Sequence, residues 1–221
     1  MAKLKKQHMT IHWKAIVQDD SSIPATEATL KEKATLVGRI GLMMLSVGTG
    51  AWRVRNSMNK VARCLGITCT ADIGLLAISY TCIEGTDTYT QSISNPTTGV
   101  NTHKLMQLEL FMKEFPDKVS TYSVKHIHEV LDEIQKLPAN YKAWNLGLAS
   151  ALACGAFTFL LGGGPVEMCC AFLGAGVGNF VRKKMLGHSI SLLANVAVSV
   201  AASCLVYVLT ILLAQSLLSV S

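Results

Sequence analysis

Arg53 belongs to the stretch Gly48-Thr49-Gly50-Ala51-Trp52-Arg53-Val54-Arg55, which separates two runs of helical periodicity. A guanidinium and the backbone amides at the N-terminus of the second helix suit an anion, either a substrate carboxylate or the acidic loop of a partner. The plainer reading has Gly48 and Gly50 making the turn, Trp52 packing and Arg53 forming an ion pair at the helix start. Asn179, Asn195 and Ser199 stand out because their surroundings are apolar. Asn195 and Ser199 are four apart and share one helix face. Amides in such helices either join neighbouring helices by hydrogen bonds or line a polar path for a solute. Glu167 sits at the edge of its apolar run and is read as solvated.

Other chemistries are poorly supplied. The seven cysteines include no C-x-x-C and several lie inside apolar segments. They read as reduced thiols acting as small hydrophobes, in keeping with a reducing cytoplasm, and not as a zinc set or a disulfide framework. His8 and His12 are four apart without an acidic or thiol partner, and His126 and His128 fall on different helix faces. No metal site and no cofactor are expected. The absence of G-x-S-x-G, of a carboxylate pair and of a base near Cys64 or Cys69 counts against a membrane-tethered hydrolase. The net charge of +6 is spread among acids with no dense basic stripe. That pattern argues against nucleic acid and fits the cytoplasmic face of a membrane protein.

The elements that would position these residues fall into two regimes. Of 20 Lys and Arg residues, all but Arg182, Lys183 and Lys184 lie at or before Lys142, and Glu167 is the one acidic residue beyond it. Residues 1–28 are polar and basic and read as irregular. Residues 29–142 read as a cytoplasmic α+β domain in the order α-α-β-β-β-α-α. Its helices are expected over 29–47, 51–65, 102–115 (stopped by Pro116) and 120–137 (stopped by Pro138). Strands are expected over 67–73, 75–82 and 86–94, punctuated by Gly74 and the Glu84-Gly85 pair.

Residues 143–221 read as an α-helical membrane domain of about three transmembrane helices, with spans over 144–163, 165–181 and 189–214. Tyr141 and Trp144 stand where an aromatic belt belongs, and Gly162-Gly163-Gly164-Pro165 breaks the first two spans. The Arg182 cluster marks its loop, and with it the soluble domain, as cytoplasmic. Gly174 and Gly178 are four apart beside Ala171 and Ala175, a spacing that allows close helix packing.

The order of these features resembles the N-terminal half of the threonine/serine exporter family, which also occurs as a separate small subunit in systems that export succinate. The resemblance rests on Gly48-Thr49-Gly50-Ala51-Trp52-Arg53-Val54, Leu65-Gly66, Asn101-Thr102-His103-Lys104-Leu105 and Tyr141-Lys142-Ala143-Trp144, and runs from about Leu36 to about Ala201. It implies membrane transport: a subunit or half of an exporter of small carboxylate-bearing solutes in the bacterial inner membrane. The implied partners are a second exporter membrane subunit and the lipid bilayer, with self-association allowed. Arg53, Asn179, Asn195 and Ser199 are the candidates for substrate binding or the path. Two departures qualify the match. Gly50, Ala51 and Arg55 replace the family's acid, threonine and second acid, and the chain stops before further membrane helices, which implies a shortened subunit. The alternative function is a membrane-anchored cytoplasmic binding or regulatory protein without transport.

Overall fold

The structure is a computed structural model that describes residues 13, 16, 23–75, 77–95, 99–138, 143–186 and 192–219. The expected irregular segment 1–28 lies largely outside these residues, as do Tyr141, Gly187 and His188. The chain divides into two compact units, Lys3–Asn140 and Tyr141–Ser221.

In the first unit, α1 (Leu30–Ser46) begins at Thr29, whose side chain accepts from the Glu32 amide while the Glu32 carboxylate returns to the Thr29 amide. Leu36, Val37, Ile40 and Met44 recur at helical spacing and are buried. Against them pack α2 (Ala51–Cys64), through Val54, Met58 and Val61, and an antiparallel sheet of β1 (Thr68–Ile73), β2 (Ala77–Glu84) and β3 (Asp87–Ser94) in that order. The sheet alternates. Ile78, Tyr80 and Cys82 of β2 point into the core, whereas Ser79 and Thr81 pair with Ser92 and Thr90 on the other face. Each fully buried aliphatic side chain contributes roughly 1.5–3 kcal/mol, so this stripe carries the unit.

The core is closed by α3 (Thr102–Lys118) and α4 (Val124–Lys136). Several boundaries depart from expectation: β2 covers Ala77–Glu84 and not 75–82, because the Gly74 amide pairs with the Ala77 carbonyl and closes the turn there. Pro116 does not stop α3, because it sits on the exposed side of the last turn. There the Val119 amide still reaches the Phe115 carbonyl at 2.9 Å, and the buried Phe111–Phe115 ring pair holds the helix past it. The last helix starts at Val124 and not at 120, because the Ser123 side chain accepts from the His126 amide and fixes the cap there.

The second unit holds α5 (Ala143–Leu160), α6 (Pro165–Leu186) and α7 (Leu192–Ser219). Gly162, at φ +92°, turns the chain after α5, and Pro165 opens α6 where its missing N–H costs nothing. The helix α6 packs against both α5 and α7. Among the described residues, one helix is long and apolar enough to cross a bilayer: α7, through the 25 residues Leu193–Leu217. The apolar stretch of α5, Trp144–Leu160, rises only about 25 Å against a hydrocarbon core of about 30 Å. In α6, Glu167 stands in the first turn and Lys183 and Lys184 in the last.

Candidate functional site

The elbow between α1 and α2 is built by backbone. Gly48 takes φ +86° and lies against Gly99 and Val100, where a Cβ would come within 3.1 Å of the Gly99 carbonyl and the Val100 Cα. The Asn101 amide donates to the Val47 carbonyl at 3.0 Å, and Asn101 Oδ1 accepts from the Lys104 amide at 3.1 Å to cap α3. The segment before α3 is therefore tied to the end of α1. Gly50 is different. It is extended (φ −69°, ψ 150°) with open space around its Cα, so the turn does not require glycine there.

Trp52 does not pack, contrary to the plainer reading of the turn: it is 75% exposed. The elbow closes through backbone and through Val54 and Met58 on the next turn, which leaves the first outward position of α2 without core to face. Arg53 Nη1 lies 3.2 Å from Glu109 Oε1 on α3, with both side chains about half exposed. An exposed pair of this kind contributes about 0–1 kcal/mol, and an incoming anion would compete with Glu109 for the guanidinium. Arg55 Nε donates to the Ala71 carbonyl at 3.0 Å, which ties α2 to β1.

A second polar group went unread in the sequence. Arg39, on the buried stripe of α1, is 1% exposed. Its Nη1 donates to His128 Nδ1 at 2.9 Å and to the His128 carbonyl at 3.0 Å, while Nη2 pairs with Asp132 and reaches Gln135 Oε1 at 3.3 Å. Because arginine only donates, His128 Nδ1 must accept, so the imidazole is neutral with its proton on Nε2. Burial, then the Arg39 charge, push the His128 pKa down to about 3, against the opposing pull of Asp132. Burial also lowers the Arg39 pKa, with Asp132 opposing. The Trp13 ring covers both side chains, stacked on His128 at 6.3 Å and 5.9 Å from the guanidinium carbon. The available signal was a charge on the apolar stripe of α1 facing the spacing 128, 132, 135 on α4, one polar line on an otherwise apolar face. His126 faces the other way, edge-on to Tyr122 at 4.4 Å.

In the second unit the candidate polar residues have different neighbours. Asn179 Nδ2 donates to Ser150 Oγ of α5 at 2.5 Å and to the Ala175 carbonyl at 3.2 Å, so it joins α6 to α5. Asn195 is 2% exposed on α7, and its Oδ1 has no hydrogen-bond partner among the described residues. Ser199, one turn on, is buried and donates to the Val196 carbonyl at 2.9 Å. Gly174 and Gly178 lie against α7. A Cβ on Gly178 would meet Ser203 Cβ at 2.8 Å and the Ser199 carbonyl at 3.0 Å, and one on Gly174 would meet the Ser203 carbonyl at 2.9 Å. The cleft between α5 and α6, about 370 Å³ and lined by Leu148, Phe172, Val177 and Phe180 with Lys183, offers a charged solute one cation and otherwise apolar walls. No group of three or more His, Cys, Asp or Glu among the described residues could hold a metal ion.

The second unit thus packs apolar helices around the buried Asn195 and the partly buried Asn179, and its α7 is long and apolar enough to cross a bilayer. The family model for threonine/serine exporters, ThrE, matches residues 35–220. The chain belongs to that family, whose activity is membrane transport of threonine- and serine-type solutes. No curated protein and no solved structure matches the chain.

Proposed function

We propose that the chain exports small carboxylate-bearing solutes, threonine and serine or dicarboxylates such as succinate, as one subunit of an exporter completed by a second membrane subunit. The match to the exporter family over residues 35–220 carries this reading. In it, α5, α6 and α7 all cross the inner (cytoplasmic) membrane, and the first unit faces the cytoplasm together with the Arg182-Lys183-Lys184 cluster. The unpartnered Asn195 Oδ1 supports a path along α7, because an acceptor buried among apolar helices can take a hydrogen bond from the ammonium or hydroxyl of a passing amino acid. Ser199 continues that face. Asn179 is committed to Ser150 and holds helices in place unless the solute displaces that bond. Helices of the second subunit complete the path.

A second reading is a membrane-anchored binding or regulatory protein without transport, with Arg53 meeting an anion at the elbow. It is favoured by α7 being the one described helix that meets the length and composition of a span. Efflux of labelled threonine, serine and succinate from preloaded cells separates the two. Export predicts faster loss of label when the chain and its companion subunit are both present. Unchanged loss, with the chain in the membrane, supports the anchored binding protein.

A further inference from the structure

Cys69 and Cys82 stand directly opposite each other on the neighbouring strands β1 and β2. Their place in the ladder follows from the turn. The Gly74 amide donates to the Ala77 carbonyl at 2.9 Å, which makes Gly74 and Ala77 a hydrogen-bonded pair. Hydrogen-bonded and non-hydrogen-bonded pairs alternate along an antiparallel ladder, and the register continues without a bulge from Ile73–Ile78 to Cys69–Cys82. Counting down that register puts the cysteines in a non-hydrogen-bonded position. Opposed residues there have Cα atoms about 4.5 Å apart and side chains turned toward each other, inside the roughly 4.4–6.8 Å that a disulfide bridges. Cys69 is 8% exposed and Cys82 fully buried, and the Cys69 S–H donates to the Thr70 carbonyl at 3.8 Å.

We propose that Cys69 and Cys82 are a reversible dithiol–disulfide couple, oxidised by hydrogen peroxide and restored by a dithiol reductant. Cys69 is the attacking sulfur. It is the less buried of the two, and the neighbouring Cys82 holds its thiol below the ordinary pKa, against the effect of burial. The Cys82 thiol is pushed up, by its neighbour Cys69 and by desolvation. In the first step a Cys69 Sγ–O bond forms, the peroxide O–O bond breaks and water leaves, with Cys69 oxidised to the sulfenic acid. Cys82 Sγ then attacks Cys69 Sγ: the S–S bond forms, the S–O bond breaks, and the hydroxide takes the Cys82 proton as a second water. Two thiols and one peroxide thus give one disulfide and two waters. The linkage staples β1 to β2 on the face that packs against α1, beside Ile78 and Tyr80.

The test uses the full chain, purified reduced in detergent, exposed to hydrogen peroxide, alkylated and digested with chymotrypsin, which cuts between the two cysteines after Tyr80. The expected result is a Cys69–Cys82 cross-linked peptide pair, lighter by two hydrogens than the thiols and separated by dithiothreitol. In Cys82→Ser the reaction should stop at Cys69, where dimedone traps the sulfenic acid. Two outcomes overturn the proposal. One is both thiols recovered alkylated at peroxide levels that oxidise the exposed Cys154. The other is Cys69 joined to Cys64, or joined to Cys82 only after denaturation.

Discussion

The two units bury polarity in opposite ways. The first encloses a charge: Arg39 is sealed inside the core and is held by His128, Asp132, Gln135 and the Trp13 ring. The second encloses neutral amides in apolar helices, and Asn195 keeps an oxygen with no partner among the described residues. A buried cation with an assembled set of partners belongs to the fold, since removing any member leaves the others desolvated. A buried acceptor without a partner costs about 1–3 kcal/mol, which a passing solute or an added helix can recover. The charge of the first unit is therefore committed to its partners, although Asn59 Oδ1 there, like Asn195 Oδ1 in the second, is a buried acceptor with no partner among the described residues. Even the Arg39 group is not fully satisfied: Arg39 Nε and His128 Nε2 find no partner among the described residues, and the Trp13 ring covers the two side chains.

Arg39→Ala should give the largest effect, a loss of about 3–5 kcal/mol in the first unit, because Asp132 and His128 stay behind without their cation. Thermal unfolding of the full chain checks it. The triple variant Arg39→Met, His128→Leu, Asp132→Leu should regain part of that loss, since removing all the charges together abolishes the desolvation cost. A triple variant as unstable as Arg39→Ala would break the distinction between the units.

The same group sets a pH dependence. An unfolded His128 titrates near 6.5 and the folded one near 3. Between those values the unfolded state binds the extra proton, so stability is full above about pH 6.5 and falls as the pH drops toward about 3. The histidine supplies at most about 5 kcal/mol of that fall. Unfolding scans against pH should show the slope in the parent chain and a shallower one in His128→Leu.

Packing in the second unit is tested by Gly178→Leu, which drives a side chain into Ser203 and the Ser199 carbonyl. A loss of about 1–3 kcal/mol is expected, read as increased protease sensitivity of the α6–α7 pair in membranes. At the elbow, Gly48→Val should cost about 1–2 kcal/mol, through its positive φ and its contact with Val100. Arg53→Ala should cost less than about 1 kcal/mol. Equal losses for the two would make Arg53 a fold residue like Gly48.

The sequence supported the order of elements because each unit repeats its own signal. Period-two alternation gave the strands, and the apolar stripe 36, 37, 40, 44 gave α1. Boundaries slipped where side-chain capping overrode periodicity, as Ser123 shows at the start of α4. Gly48 and Gly50 read alike in sequence, yet only Gly48 takes a conformation that demands glycine, which depends on the distant contact with Gly99 and Val100. The Arg39–His128 group joins residues remote in sequence and brought together by packing. The Cys69–Cys82 pair lies within one hairpin, and its pairing depends on the exact strand register, which the alternation pattern does not fix.

Asn195→Leu tests the central claim most directly. The substitution removes the unpartnered Oδ1 acceptor from α7 and leaves the Gly174 and Gly178 contacts with Ser199 and Ser203 untouched. Membrane insertion and assembly with the proposed second subunit should be unchanged or improved, while efflux of labelled threonine falls at least about tenfold, the equivalent of one 1.4 kcal/mol interaction lost in the proposed path. Efflux at the parent rate, or efflux lost only in proportion to assembly, would contradict the account.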